Sequence, residues 1–176
     1  MGNDRQLDYH DMRPDNFAAH LETLRANRQP IALLLDGVTD QRNIGAIFRL
    51  CDAANLEHLY LWGLPEFKVD KKIRRVSRQT TEYVDHTVLP DESALHDLLQ
   101  NYERIIALDH TERSIDYRDV PNNQRTLLVV GNEQRGCSQI MLQRASLHMH
   151  LPMLGVKTSM NVACAATVAV YALLPE

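Results

Sequence analysis

The sequence predicts an α/β fold in which helices cover both faces of a mostly parallel sheet. Short, continuous apolar runs recur along the chain, as is typical of strands that are buried on both faces. Segments with helical periodicity separate these runs, and this alternation indicates βαβ units. The 176 residues are 44% hydrophobic and 24% charged, which is the composition of a globular domain rather than of a disordered chain.

The first thirty residues differ in character from the rest of the chain. Met1–Arg13 is polar and mixed in charge, so it does not resemble a signal peptide, and we expect a cytoplasmic protein. Asp15–Asn27 is predicted to be a helix, because its apolar residues fall on one helical face and a proline comes after it. We therefore expect a helical extension over residues 1–30 and a single domain over residues 31–176.

Strands and helices alternate through this domain. Apolar runs predict strands at Ile31–Leu35, Leu59–Trp62, Arg104–Leu108, Thr126–Val130 and Leu147–Leu151. Helical patterns predict helices at about Ile44–Ala54, Glu92–Asn101, Gln139–Ala145 and Met160–Leu174. The apolar stretches are too short or too interrupted to span a bilayer, so no membrane contact is expected.

The loops that follow the strands are the expected place for a ligand, because open α/β sheets bind ligands beyond the carboxyl ends of their strands. The loops of interest follow Leu35, Leu108, Val130 and Leu151. None of them carries G-x-G-x-x-G or G-x-x-x-x-G-K-[ST], the patterns that bind a pyrophosphate. Glycine-bearing turns without a phosphate loop suit a ligand that has no phosphate, such as S-adenosylmethionine.

The first of these loops leads into a helix that carries an arginine among apolar residues. Asn43 is a candidate N-cap, and Gly45 would let another backbone approach closely. Arg49 interrupts the apolar pattern of the helix. Such an arginine usually extends to solvent beside an apolar face, but it can also hold a phosphate or a reacting oxygen.

Two later loops place polar residues at strand ends. Gly131 and Gly136 bracket Glu133, a pattern that alone indicates a structural turn. Ser159 and Asn161 flank the start of the last helix, where Ser159 is a candidate N-cap. Taken separately, each loop has a purely structural interpretation.

One short segment is strongly basic, although the whole chain has a net charge of −4. Such a cluster is typical of a phosphate-binding surface, and a solvated helix face is the alternative. The cations of this basic segment are Lys68, Lys71, Lys72, Arg74, Arg75 and Arg78.

No metal site is expected. The three cysteines stand alone, without a C-x-x-C pair, which argues against a zinc site and against a disulfide framework. No H-E-x-x-H occurs. His148 and His150 alternate on a predicted strand, where we interpret them as surface residues.

Together the loops form one pattern. The first loop contains the motif N-x-G-x-x-x-R, formed by Asn43, Gly45 and Arg49. The second contains G-x-E-x-x-G, formed by Gly131, Glu133 and Gly136. In the third, Pro152-Met153 precedes Ser159-Met160-Asn161-Val162. In order, spacing and strand–loop–helix context, this pattern resembles the signature of the SpoU (TrmH) family of RNA 2′-O-ribose methyltransferases, in the SPOUT superfamily. The similarity runs from about Ile31 to Leu174, with Met160 in place of the commoner leucine.

The resemblance implies an enzyme that uses S-adenosylmethionine and whose C-terminal part forms a deep trefoil knot. Residues 31–176 would be the catalytic domain, and the knotted loops would form the cofactor pocket. Backbone groups at Leu108, Gly131, Leu151 and Met160 would hold the adenosyl part. The family also works as a homodimer. In this chain the alanines of the last helix would either let a partner approach or pack on their own sheet (Ala163, Ala165, Ala166 and Ala169).

The resemblance also assigns a catalytic set. Arg49 would be the key residue, and Asn43, Glu133, Ser159 and Asn161 would complete the site. Because a guanidinium stays protonated at neutral pH, we expect Arg49 to orient the ribose or its phosphate and to stabilise negative charge that develops on oxygen. The basic segment would then contact the RNA backbone.

The choice of RNA has more than one interpretation. The turn Asp116–Arg118 and the run Gly131–Asn161 look most like tRNA enzymes that methylate the D-loop guanosine, so we expect a tRNA. The same reaction on ribosomal RNA is the alternative. A catalytically silent, knotted RNA-binding protein is an alternative of another class, against which the retained catalytic set argues. A nucleotide-binding oxidoreductase is disfavoured because the dinucleotide fingerprint is missing.

Overall fold

The computed structural model describes residues 14–64, 66–122 and 124–175. Met1–Arg13, which begins the predicted extension, lies outside the described residues, and the division of the chain at residue 30 stays a prediction. Across the described ranges no helix is both long and apolar enough to cross a membrane.

The described residues form one parallel sheet of seven strands in the order β3-β2-β1-β6-β4-β7-β5. The strands are β1 (Gln29–Asp36), β2 (Leu56–Trp62), β3 (His86–Val88), β4 (Ile105–Leu108), β5 (Ile115–Asp116), β6 (Thr126–Gly131) and β7 (Leu147–His150). This confirms the predicted parallel α/β sheet. The strands β3 and β5 were not predicted, because two or three residues carry no recognisable periodicity.

Six helices surround the sheet in the described part of the chain. They are α1 (Phe17–Ala26), α2 (Gln41–Ala53), α3 (Lys71–Val76), α4 (Glu92–Gln100), α5 (Gln139–Arg144) and α6 (Val162–Leu173). Two short 3-10 turns occupy Thr80–Glu82 and Tyr117–Asp119. Helix α3 was not predicted, because its sequence is almost entirely cationic and shows no apolar stripe.

Two hydrophobic cores lie on opposite faces of the sheet. Ile31, Leu33 and Leu35 of the central strand β1 pack with α2 and α6, whereas Ala32 and Leu34 pack with α4 and α5. All five side chains are at most 1% exposed. A strand buried on both faces needs an unbroken apolar run, which is the pattern that predicted it. Helices on both faces are thereby confirmed.

Both predicted N-caps are wrong. Asp40 caps α2, its Oδ1 accepting from the backbone N–H of Arg42 at 2.8 Å. Hydrogen bonds from Arg42 lower the pKa of Asp40 to about 2, so the cap carries the negative charge that a helix N-terminus favours. At the other helix, Asn161 rather than Ser159 is the cap, and α6 begins at Val162 instead of Met160. Asn43 and Ser159 are therefore available for other contacts.

The alanines of α6 pack on their own sheet. Ala163, Ala166 and Ala169 belong to the core and are at most 8% exposed. The exposed side of the helix instead carries larger residues, including Val168 and Tyr171. Packing on their own sheet is thus confirmed for these three alanines, whereas Ala165 is only half-buried and lies outside the core.

The last strands follow an unusual path. From β4 the chain crosses to β5 at the edge of the sheet and returns to β6 at its centre. It then inserts β7 between β4 and β5. This path brings the loops after β4, β6 and β7 together at one end of the sheet.

Candidate active site

A cleft of about 390 Å³ opens at the carboxyl ends of β4, β6 and β7. The loop after each strand supplies part of its wall, and α6 supplies the remainder through Val162 and Ala165. The cleft is lined by all four residues that were expected to hold the cofactor: Leu108, Gly131, Leu151 and Met160. Glu133 and Ser159 of the predicted catalytic set also line it.

The loop after β6 is folded back tightly on itself. Asn132 and Gly136 exchange two backbone hydrogen bonds, of 3.0 and 2.9 Å. A Cβ atom on Gly131 would collide with backbone atoms of Gly136 and Cys137. Gly136 has a φ of +70°, and a Cβ there would meet the carboxylate of Asp109. The two glycines of the motif are thus required by the geometry of the loop itself.

Two carboxylates hold this loop against the sheet. Asp109 accepts a hydrogen bond from the N–H of Cys137 at 2.8 Å, and Asp36 accepts from the N–H of Ser138 at 2.6 Å. Neither residue belongs to a motif or was predicted from the sequence. Both stand at strand ends, one directly after β4 and the other as the last residue of β1, which is the position that could have indicated them.

A chain of side-chain hydrogen bonds links the first turn of α2, the loop after β6 and the N-cap of α6, which are far apart in sequence. The Nδ2 of Asn43 donates to Glu133 Oε1 at 3.0 Å, and the Nδ2 of Asn161 donates to Asn43 Oδ1 at 2.9 Å. The Oδ1 of Asn161 in turn accepts from the N–H groups of Ala163 and Cys164 and so caps α6. Three of the predicted catalytic residues are therefore in direct contact.

Glu133 is held as an anion in this chain. Its carboxylate also accepts from the backbone N–H groups of Asp40 at 3.2 Å and Thr39 at 3.4 Å. Desolvation raises the pKa of Glu133, but the hydrogen bonds from Asn43 and the backbone outweigh it, so the pKa lies below its usual value. Every donor that surrounds this carboxylate favours its charged form, which makes it a fixed anchor rather than a proton carrier.

Arg49 does not lie in the cleft. It is exposed on α2 and lines a second groove, of about 960 Å³, between α1, α2 and α6. Its guanidinium forms no hydrogen bond or ion pair with any residue in the described ranges. Thr167 and Tyr171 of α6 line this groove, whereas Val162 and Ala165 line the cleft. Within one copy of the chain, the final helix thus lies between Arg49 and the cleft that Glu133 and Ser159 line.

The basic segment is docked on α2 beside Arg49. The position of a Cβ on Gly45 would be 2.8 Å from the Cβ of Val76, so the absence of a side chain lets α3 approach. Gln41 also donates to Asp70, the N-cap of α3, at 2.6 Å. The close approach expected of Gly45 is therefore found. The six cations are exposed (Lys68, Lys71, Lys72, Arg74, Arg75 and Arg78).

The turn after α3 is left-handed at two consecutive residues. Arg78 has a φ of 54° and Gln79 a φ of 69°. For residues other than glycine this region costs on the order of 1–3 kcal/mol each. The turn directs the chain into the groove that Arg49 lines, and both residues belong to its wall.

The histidines differ from their predicted surface placement. His148 is only 4% exposed, and its ring bonds the hydroxyl of Thr111 at 2.8 Å. His150 lines the cleft, with its ring centroid 4.7 Å from that of His110. Among residues 14–64, 66–122 and 124–175, no group of three or more His, Cys, Asp or Glu side chains could hold a metal ion.

A sequence profile of the SpoU rRNA Methylase family matches residues 30–171, which span β1 to most of α6. The chain belongs to this family. Residues of the three SpoU motifs line part of the cleft, form the hydrogen-bond chain and include Arg49 of the second groove.

Curated relatives of this SpoU chain are named for two kinds of RNA. It is 29% identical over 154 residues to a tRNA (guanosine(18)-2'-O)-methyltransferase of Aquifex aeolicus, across 85% of this chain and 71% of that protein. It is 30% identical over 150 residues to a 23S rRNA (guanosine(2553)-2'-O)-methyltransferase of Bacillus subtilis, across 79% of this chain and 56% of that protein. The SpoU chain spans less than two thirds of the length of several relatives that it matches, the Bacillus protein among them.

Solved structures share the fold. The Aquifex aeolicus TrmH/SpoU tRNA modifying enzyme superposes with a TM-score of 0.76 at 24% identity, over 89% of this chain and 81% of that one. The SpoU methyltransferase AviRb of Streptomyces viridochromogenes, solved in complex with AdoMet, gives a TM-score of 0.75 at 26% identity, over 92% of this chain and 64% of that one.

Proposed function

We propose that this chain is an S-adenosylmethionine-dependent methyltransferase that modifies a ribose 2′-hydroxyl of RNA. The observation that carries the proposal is the convergence of the three motif loops. Glu133, Asn43 and Asn161 join in one hydrogen-bond chain beside a cleft lined by the third loop. A packed core does not need polar side chains from three distant segments to meet, whereas an active site does.

The cleft suits the proposed cofactor. Its volume falls within the roughly 300–1,000 Å³ that small-molecule sites occupy. Backbone groups at Leu108, Gly131, Leu151 and Met160 stand at its wall and would hold the adenosyl part. Gly131 and Gly136, which have no side chains, let the loop fold back on itself at this wall. When bound, S-adenosylmethionine supplies an electrophilic methyl group on a positively charged sulfur.

The chain's own contribution to the reaction is positioning and charge stabilisation. With the methyl donor held in the cleft, the residues of the site would place the ribose O2′ in line with the methyl group, and the O2′ proton would pass to water or to a nearby phosphate. The guanidinium of Arg49 would stabilise the negative charge that develops on O2′. Ser159, exposed at the cleft, would orient the ribose by hydrogen bonding.

We further propose that the working form is a homodimer. Arg49 and the cleft lie on different sides of α6, so a second copy is needed to bring an Arg49 to a cleft. Large apolar side chains stand exposed beside both features. Leu154 and Val156, on the loop that lines the cleft, are 97% and 98% exposed, and Val168 and Tyr171 are exposed on α6. Such a surface is typical of a protein–protein contact.

The path of the last strands supports a further proposal, that the C-terminal part is knotted. Strand β7 lies between β4 and β5, which residues 109–114 connect. A chain threaded beneath that connection would give this strand order.

A tRNA, methylated at the D-loop guanosine, is the proposed substrate, and ribosomal RNA is the alternative. The Aquifex aeolicus relative, named for guanosine 18 of tRNA, favours the first choice, because more of its length is matched. The Bacillus subtilis relative favours the second. A silent RNA-binding protein is the alternative of another class, and the intact hydrogen-bond chain around Glu133 argues against it.

Transfer of a radiolabelled methyl group from S-adenosylmethionine tests the reaction and its substrate. Total tRNA and ribosomal RNA would be incubated separately with the protein, and labelled nucleosides would be mapped by mass spectrometry. We expect label on a ribose 2′-oxygen in the tRNA pool. Label in ribosomal RNA alone would show that the substrate is ribosomal RNA instead of tRNA. Cofactor and RNA binding without any label would favour the silent RNA-binding protein.

Removal of the basic segment's charge should weaken RNA binding. In a variant with Lys71, Lys72, Arg74 and Arg75 replaced by alanine, fewer phosphates are neutralised, so affinity and its salt dependence both fall. Because four cations are removed, the slope of log K against log[salt] should fall by about 3 to 4. Filter binding at several salt concentrations measures it. An unchanged slope would identify the segment as a solvated face.

A further inference from the structure

The groove beside Arg49 combines cationic, amide and aromatic side chains. Arg49 of α2 and Arg78 of the turn after α3 supply positive charge, and Gln79 supplies an amide. Tyr83 supplies a ring, and the ring of Phe17 packs edge-on against it with a centroid distance of 5.5 Å. This combination is typical of sites that bind single-stranded nucleic acid, where rings stack on bases and cations meet phosphates.

Gln79 has no structural use for its side chain. Its backbone N–H donates to Arg74 O at 3.0 Å, and its carbonyl accepts from the N–H of Glu82 at 3.0 Å. Its amide group forms no hydrogen bond with any part of the chain that the structure describes. A glycine would make the same left-handed turn without strain. The strained backbone therefore holds an amide at the wall of the groove that the fold itself does not need.

An unused amide at a groove wall is suited to reading a base. A glutamine side chain offers two N–H donors and one carbonyl acceptor in a plane, which matches the mixed donors and acceptors of a nucleobase edge. The lining also holds the carboxylate of Asp52, a further acceptor. The volume of about 960 Å³ leaves room for a base and its sugar.

We propose that this groove binds the nucleobase of the methylated nucleotide and that Gln79 contacts the edge of the base. The inference rests on the proposed function and adds the residues that select the target nucleotide. The base lies against the Tyr83 and Phe17 rings, and its phosphate meets Arg78. The ribose then stands at the mouth of the groove beside Arg49.

Gln79→Gly tests the groove, because it removes the amide and relieves the left-handed strain together. The midpoint of thermal unfolding should not fall. The KM for the RNA that the wild type labels should rise about 3- to 10-fold, the loss expected for one hydrogen bond, with kcat within twofold and the KM for S-adenosylmethionine unchanged. Gln79→Asn, which keeps an amide and tolerates a positive φ but reaches less far, should show an intermediate KM.

Gln143→Ala is the matched control, since Gln143 is an exposed glutamine on α5, on the opposite face of the sheet. It should leave the KM for RNA unchanged. An unchanged KM in Gln79→Gly would overturn the groove assignment. A changed oligomeric state in Gln79→Gly, with unchanged RNA affinity, would also overturn it. The groove would then be a contact surface for a second copy of the chain.

The failure of this inference is distinct from a failure of the proposed function. If the wild type transfers no methyl group, the proposed reaction fails. Binding of an unmodified tRNA transcript to wild type and Gln79→Gly, measured without transfer, then still tests the groove. Weaker binding of the variant supports the groove as a base site, and equal binding overturns it.

Discussion

Arg49→Ala is expected to reduce methyl transfer to RNA by at least about 10²- to 10³-fold, the effect of removing a group that stabilises charge in a transition state. Binding of S-adenosylmethionine should stay nearly unchanged, because the residues that would hold the adenosyl part are in the cleft lining and are not altered. The free energy of unfolding should change by no more than about 0.5 kcal/mol, since the side chain is exposed.

Two variants sharpen this experiment. Arg49→Lys keeps the positive charge but loses the planar guanidinium, so it should recover only a small part of the rate. Arg144→Ala, an exposed arginine on α5, is the matched control and should transfer at the wild-type rate. Single-turnover transfer measures all three, and isothermal titration measures the cofactor. A fully active Arg49→Ala would remove Arg49 from the mechanism.

Gly131→Ala is expected to disrupt the cleft. The added Cβ would collide with backbone atoms of Gly136 and Cys137, which cannot move aside as a flexible side chain could. The loop would have to open, breaking the paired hydrogen bonds between Asn132 and Gly136. We expect a loss of about 3 kcal/mol of stability and no measurable cofactor binding.

Gly155→Ala is the matched control for this prediction. No atom lies within 4 Å of the position that its Cβ would take, although Gly155 belongs to another loop of the same site. It should unfold at the wild-type temperature, whereas Gly131→Ala should unfold roughly 6–12 °C lower, given about 2–4 °C per kcal/mol for a chain of this length. Differential scanning calorimetry measures both. Equal unfolding temperatures would contradict the collision.

The central strands could be predicted from the sequence because burial on both faces leaves a continuous apolar run, as Ile31–Leu35 shows. Helix α3 could not, because it is positioned by tertiary contacts with Gly45 and Gln41 of α2 rather than by its own pattern. Both N-caps were assigned to the wrong residues. Ser, Asn and Asp are all good caps, and local sequence does not say which one will bond elsewhere.

The candidate site could be predicted in its residues but not in its arrangement. The motifs indicated Asn43, Glu133 and Asn161, which the structure joins. They did not indicate that Arg49 would line a different cavity from Glu133, because the surface that a helical residue reaches depends on how the helix is docked. Asp36 and Asp109 were not singled out, because a carboxylate that only ties down a loop belongs to no motif.

The hydrogen-bond chain also constrains when the site can form. Its two side-chain links join residues 90 and 118 positions apart. Contacts of such long range form slowly, because a large loop must close before they contribute any stability. During synthesis, Arg49 and the basic segment leave the ribosome well before Asn161, which completes the chain and caps the final helix. A nascent chain, or one truncated before Asn161, would therefore present its cationic surface while its methyl-donor pocket was still unassembled.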